Sequence, residues 1–357
     1  MSKSNHFFGQ PLYGQLINLL DKEKILELSR SKGGERYIKR FDAWTHLVTM
    51  LYAVIMRHDS LREISVSMLA EARKLSHIGI TMMPTRSTLS DANARRPEAI
   101  FESIYRWLYK RYSKELCSDS RGRLAEKWMK RLQIIDSTTI SLFSNLLFKE
   151  VGRNPKTGKK KGGIKVHTVI HANEGVPSDV RFTSATNDSF MLKPSNFQEG
   201  EVLAMDRAYI DYEKELTNRG VTYVTKMKKN LTYLLWNDTI WQNGNGKMQY
   251  RIKWATFYKP IKGGGLIRHH ARIISYIDIK KGKVIDLLTN DMDAEPEEIV
   301  DIYRQRWEIE LLFKQIKQNF PLRYFYGESK NAIKIQIWVT LIANLLLMVV
   351  QSRLKRR

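Results

Sequence analysis

Near residue 130 the spacing of apolar residues changes, and that change limits the architecture more than any other feature of the chain. Between residues 11 and 115 apolar positions recur every three or four residues, as at Leu47, Leu51, Val54 and Ile55, which is the period of amphipathic helices. After a polar stretch from Cys117 to Lys127 the pattern becomes extended. Leu132–Asp136, Ile164–His171 and Val180–Thr186 read as strands joined by turns bearing Gly, Pro and Asn. A helix near Met191, a strand Val202–Met205, a helix Tyr212–Arg219 and a strand Tyr223–Thr225 follow. Leu231–Leu288 is β-rich and irregular, with Trp236, Trp241 and Trp254 and glycine-bearing turns at Asn243–Gly246 and Gly263–Gly265. One long helix is expected from Pro296 to about Asn319, with Glu297 and Glu298 placed where the helix dipole favours negative charge. The pattern predicts a helical domain at residues 1–125 and an α/β domain at 126–357 with a β-rich insertion at about 231–288.

Charge narrows the partners. Sixty Lys and Arg against 37 Asp and Glu leave a formal charge of +23, a field that draws polyanions. The cations are spread through folded-looking segments and are not gathered beside a lipid-binding helix, so nucleic acid is the expected partner. The apolar run Ile335–Val350 is broken by Gln336, Thr340 and Asn344 and reads as a buried helix, with no membrane span expected. A lone Cys117 excludes an internal disulfide and any multi-thiolate metal site, in keeping with a reducing cytoplasm.

Three places carry chemistry. On a helix, Tyr303, Arg306, Glu310, Lys314 and Lys317 share one face, beside an apolar stripe of Ile302, Ile309, Phe313 and Ile316. A carboxylate among cations suits a metal ligand flanked by phosphate-binding groups, whereas plain i,i+4 ion pairs would be worth only a few tenths of a kcal/mol. Asp136 and Asp206 each close an apolar strand, at the carboxyl edge where α/β sheets gather ligands. Asp188, in a loop, is the alternative second carboxylate, and His167 and His171 share a strand face in what reads as a structural role. His269-His270 reads as surface. Lys156, Lys159, Lys160 and Lys161 form a basic loop near the same edge. In the helical part, Thr85–Arg96 looks like the second half of a helix-turn-helix, with Arg86, Arg95 and Arg96 as candidate DNA contacts.

Asp136, Asp206 and Glu310 in this order resemble the DDE triad of RNase H-like transposases, and three strands followed by α-β-α-β is the element order of that core. Tyr303, Arg306, Glu310 and Lys317 match the spacing Y-x2-R-x3-E-x6-K of the insertion-sequence-four family of bacterial transposases. Asp136-Ser-Thr-Thr and Asp206-Arg-Ala-Tyr resemble that family's first two motifs. The resemblance implies two Mg²⁺ ions, or Mn²⁺, about 3.5–4 Å apart, that activate water or a 3′-hydroxyl and stabilise the leaving oxygen. It also implies binding to double-stranded DNA at terminal inverted repeats and at a target, cut-and-paste transposition, and a homodimer in a synaptic complex. A nuclease that cleaves without joining, or a transposase-derived DNA-binding protein, are the alternatives.

Overall fold

Four of the N-terminal helices start where an oxygen-bearing side chain can cap them. Asp21, Asp42, Ser60 and Thr85 accept the exposed amides of Lys24, Thr45, Glu63 and Thr88, contacts worth about 0.5–2 kcal/mol each. The computed structural model describes residues 12–77, 79–116, 127–141, 152–153, 162–172, 174–184, 193–209, 213–242, 249–260, 265–278, 282–320, 322 and 324–355. Its N-terminal helices are α1 (Leu12–Ile17), α2 (Lys22–Ser31), α3 (Ala43–Ile55), α4 (Leu61–Ala70), α5 (Ala72–Ser76), α6 (Arg86–Arg95) and α7 (Glu98–Leu116). In α7 the buried positions Ile100, Phe101, Ile104, Tyr105, Leu108 and Tyr112 follow the three-four spacing, so one stripe docks the helix.

The extended segments form one ten-stranded sheet. Its strands are β1 (Leu132–Ser141), β2 (Gly152–Arg153), β3 (Gly162–His171), β4 (Pro177–Ser184), β5 (Val202–Met205), β6 (Thr222–Lys226), β7 (Tyr233–Gln242), β8 (Gln249–Pro260), β9 (Leu266–Asp278) and β10 (Lys283–Thr289). Helix α8 (Glu213–Asn218) connects β5 to β6. β1, β3 and β4 pair antiparallel, and β5 and β6 run parallel to β1. The resulting order is β4-β3-β1-β5-β6, a mixed sheet built from the strands in the expected order along the chain. The β-rich segment does not form a separate layer: β10 pairs antiparallel with β6, and β9, β8 and β7 continue the same sheet to an edge.

Strand side chains alternate between two cores. Ile134, Ala204, Val224, Leu287 and Ile274 join the larger core, to which Ile299, Ile302, Ile309 and Ile316 also belong. Ile135, Leu203, Met205, Tyr223, Ile273 and Leu288 form a smaller core with Phe197, Tyr209 and Leu216. The long helix expected over residues 296–319 is two helices, α9 (Pro296–Gln305) and α10 (Trp307–Asn319). They meet at Arg306, whose amide bonds the carbonyl of Tyr303, three residues back, at 3.1 Å. Arg272 of β9 donates to the carbonyls of Met292 and Ala294, which fixes the turn leading into α9.

Helix α11 (Lys330–Lys355) is long and apolar enough to cross a membrane, yet 83% of its apolar window is buried inside the protein. It packs along α7 and α3 and touches α6 and α1. Two of its polar side chains are bonded, Trp338 Nε1 donating to Glu98 at 2.9 Å and Gln336 accepting from the amide of Tyr326 at 2.8 Å, whereas among the described residues Thr340 Oγ1 and Asn344 Nδ2 are buried without a hydrogen-bond partner. The helical layer therefore does not stop at residue 125. It is completed by a helix that follows the sheet in sequence.

Candidate active site

β1 and β5 lie in parallel register through Ile135↔Met205, so the next residues on each strand are Asp136 and Asp206. Strand alternation puts both on the face of Ile134 and Ala204, toward α10. Asp136 does not end its strand, as the sequence suggests; β1 continues to Ser141 against β3 alone. What ends at Asp136 is the β5 neighbour, and this opens the cleft. Asp206 does end β5 and starts the turn Arg207–Tyr209.

The two helices bring the remaining groups. Asp136, Asp206, Arg306, Glu310, Lys314 and Lys317 line one open cleft of about 560 Å³. Arg306 stands between two of the carboxylates: Nη1 donates to Asp136 Oδ2 at 2.7 Å and Nη2 to Glu310 Oε1 at 2.5 Å. Both Arg306 and Asp136 keep only 15% of their side-chain surface exposed, against 34% for Glu310. Tyr303 lies under the guanidinium, 5.7 Å from ring centre to Cζ. Burial pushes the Asp136 carboxyl up to about 6, opposed by the Ser137 amide and by Arg306, and assisted by the charges of Asp206 and Glu310. Burial works against the charge of Arg306, but Tyr303, Asp136 and Glu310 hold it firmly protonated.

Lys317 bonds Thr138 Oγ1 at 2.6 Å and the carbonyl of Thr139 at 3.1 Å, tying α10 to β1 beside Asp136. Burial lowers its pKa. Oxygen donors without Cys and without a ligating His suit a hard divalent cation. Among the described residues no three His, Asp or Glu side chains are close enough to enclose an ion, and Arg306 occupies the space between Asp136 and Glu310.

The transposase DDE domain matches residues 127–346, the span that contains Asp136, Asp206 and Glu310. The chain belongs to the DDE transposase family. A domain of unknown function, DUF4372, matches residues 8–81 of the transposase. Proteins named as transposases are among its relatives. The protein y4zB of Sinorhizobium fredii is 28% identical over 278 residues, covering 77% of this chain and 74% of its own. The protein named for insertion sequence element IS4SA of Synechocystis is 28% identical over 272 residues, covering 73% and 70%. A solved piggyBac transposase synaptic complex with hairpin DNA aligns over 99% of this chain and 78% of that one, at 10% identity and a TM-score of 0.47, a likeness too distant to carry an argument.

Other expected contacts fall in different places on the transposase. Arg86 and Arg95 are exposed on α6, whose buried side is Leu89 and Asn93. Arg96 is not a phosphate contact. It is 5% exposed, and its guanidinium donates to the carbonyls of Phe41 at 2.7 Å and Gly34 at 3.4 Å. Lys156, Lys159, Lys160, Lys161 and Asp188 lie outside the described residues. Trp236 is 58% exposed at a bulge in the edge strand β7 and lines an open pocket with Leu234, Tyr258 and His270, whereas Trp241 packs against Tyr250 with their rings tilted by 58°. His269 is not a surface residue; it is 9% exposed and shares a 2.6 Å hydrogen bond with Tyr223.

His167 has the structural role expected of it, with partners that sequence reasoning did not name. His167, 3% exposed, bonds Thr183 at 2.7 Å and the hydroxyl of Tyr209 at 3.1 Å. Burial, then the charge of Lys165, lowers its pKa to about 4, so it stays neutral. Tyr209 is buried, and the charges of Asp136 and Asp206 add to the rise that burial imposes on its hydroxyl. The cluster fastens the turn after Asp206 to β3 and β4, behind the carboxylates. The available signal was Tyr209 itself, three residues after Asp206.

Proposed function

We propose that this transposase binds the ends of a mobile DNA element, cleaves them by two-metal-ion hydrolysis and joins the freed 3′-hydroxyls to target DNA, in a cut-and-paste reaction. The observation that carries this reading is the cleft in which two register-matched aspartates meet Glu310, Arg306, Lys314 and Lys317. Asp136, Asp206 and Glu310, which line the same cleft, are the residues that would hold the ions. Bound Mg²⁺ or Mn²⁺ supplies Lewis-acid stabilisation of the attacking and leaving oxygens. Lys314 faces the cleft and offers a phosphate contact, while Lys317 holds β1 and α10 at a fixed spacing. Tyr303 supports the Arg306 guanidinium from below. Arg86 and Arg95 are assigned to DNA-end recognition, with Lys156, Lys159, Lys160 and Lys161 as phosphate contacts. Two copies, one at each end, make up the synaptic complex.

The test is cleavage of a labelled terminal repeat in Mg²⁺, in Mn²⁺ and in Ca²⁺ as a binding-only control. Asp136→Asn, Asp206→Asn and Glu310→Gln each lower cleavage by several orders of magnitude and leave end binding intact, and the triple variant is no worse than the singles because the groups act as a unit. Wild-type cleavage by Glu310→Gln removes the triad assignment. A comparable loss in Asp188→Asn moves the second carboxylate there. Strand-transfer products from paired ends separate a transposase from a nuclease that stops after cutting.

A further inference from the structure

The two oxygens that accept from Arg306, Asp136 Oδ2 and Glu310 Oε1, belong to two of the three carboxylates assigned to the metal ions. A guanidinium clasped between the two carboxylates competes with a divalent cation for their charge and for the space between them. The position of Arg306 suits an occupant that can leave. It sits at the joint between α9 and α10, where the backbone departs from regular α-helix. Among the described residues its buried Nε has no hydrogen-bond partner, so two carboxylates satisfy the fork incompletely. The cleft that it faces is open to solvent and lined by Lys314.

We propose that Arg306 is a counter-ion gate: without DNA it clasps Asp136 and Glu310, and a phosphodiester entering the cleft draws the guanidinium onto its own oxygens and frees the carboxylates for the ions. A phosphate presents the same paired acceptors as the two carboxylates and matches the planar fork of arginine. DNA binding and ion binding are then coupled, and by linkage each strengthens the other by the same factor. The protein thereby avoids holding a charged, hydrolytic centre in the absence of its substrate. The inference rests on the reading that these carboxylates bind divalent ions.

The test is Tb³⁺ luminescence and Ca²⁺ titration of the full chain, with and without a duplex carrying a terminal repeat. Wild type gains about tenfold or more in ion affinity when the duplex is added. Arg306→Gln binds ions tightly without DNA and gains little from it, while its cleavage falls. Arg306→Lys, which keeps the charge but not the fork, lies between them, and melting curves confirm that each variant is folded. The gate is overturned if folded Arg306→Gln binds ions no more tightly than wild type in the absence of DNA, or if wild type shows no gain with DNA. Failure of every variant to bind ions even with DNA, or unchanged binding in Glu310→Gln, overturns the metal reading itself.

Discussion

His46 carries no proton in the folded protein at neutral pH. It is fully buried between Phe41 and Phe101 and bonds Asn93 at 2.9 Å, and burial, with the charge of Arg96, lowers its pKa to about 3. The unfolded chain takes up a proton near 6.5, so below that pH the unfolded state binds more protons and stability falls, until the folded state also protonates near 3. His46→Gln, whose amide can keep the bond to Asn93, is expected to flatten the loss of melting temperature between pH 6.5 and 4 relative to wild type. Trp236 invites the opposite kind of test, since most of its side chain is solvent-exposed. The family resemblance implies a hairpin on the excised end, and Trp236 is assigned to stack on a base unpaired there: Trp236→Ala should leave stability unchanged and weaken hairpin formation by up to about 1–3 kcal/mol of lost base stacking; an unchanged hairpin yield sinks that role. Single residues were legible in the sequence where local context marks them. Asp136 and Asp206 each follow an apolar run, and Glu310 lies on a helix rich in cations. Arg96 was misread because its acceptors at Phe41 and Gly34 are 55 and 62 residues away.

At the scale of elements, the C-terminal end of α10 is held twice. Lys317 fastens it to β1, and Arg57, beyond the end of α3, donates to the last carbonyls of α10, to Asn319 at 2.9 Å and Gln318 at 3.3 Å. Arg57 adopts φ 59°, a left-handed conformation that glycine takes more readily. Arg57→Gly is therefore expected to relieve the backbone and remove the cap at once. Global stability should change by no more than about 1 kcal/mol, because the two effects oppose each other. Amide exchange in the last turn of α10 should speed up selectively, and cleavage should fall with it; unchanged exchange there would show that the side chain holds nothing. The positions of the core strands along the chain were legible from apolar runs and turns, and the helical character of 296–319 from its periodicity, but the order of the strands in the sheet was not. The break at Arg306 was not, since no Pro or Gly marks it, and the residue's partners, Asp136 on β1 and Glu310 on α10, lie on two different elements.

For the whole molecule, the sequence-level division into two consecutive domains misses α11, because an apolar stripe specifies that a helix is buried but not which helices cover it. Glu98 shows the closure in miniature, receiving Lys334 at 3.2 Å and Trp338 at 2.9 Å from α11. A chain truncated before Lys330 is expected to expose the apolar sides of α3 and α7, bind a hydrophobic dye and lose cooperative melting of its helices; a sharp native-like transition would contradict this. The same closure has a consequence in time. More than two hundred residues lie between Leu116, where α7 ends, and Lys330, where α11 begins. At roughly 5–20 residues per second a ribosome leaves those early helices without their lasting cover for about 10–40 s. The final packing of α3 and α7 therefore waits for the synthesis of α11.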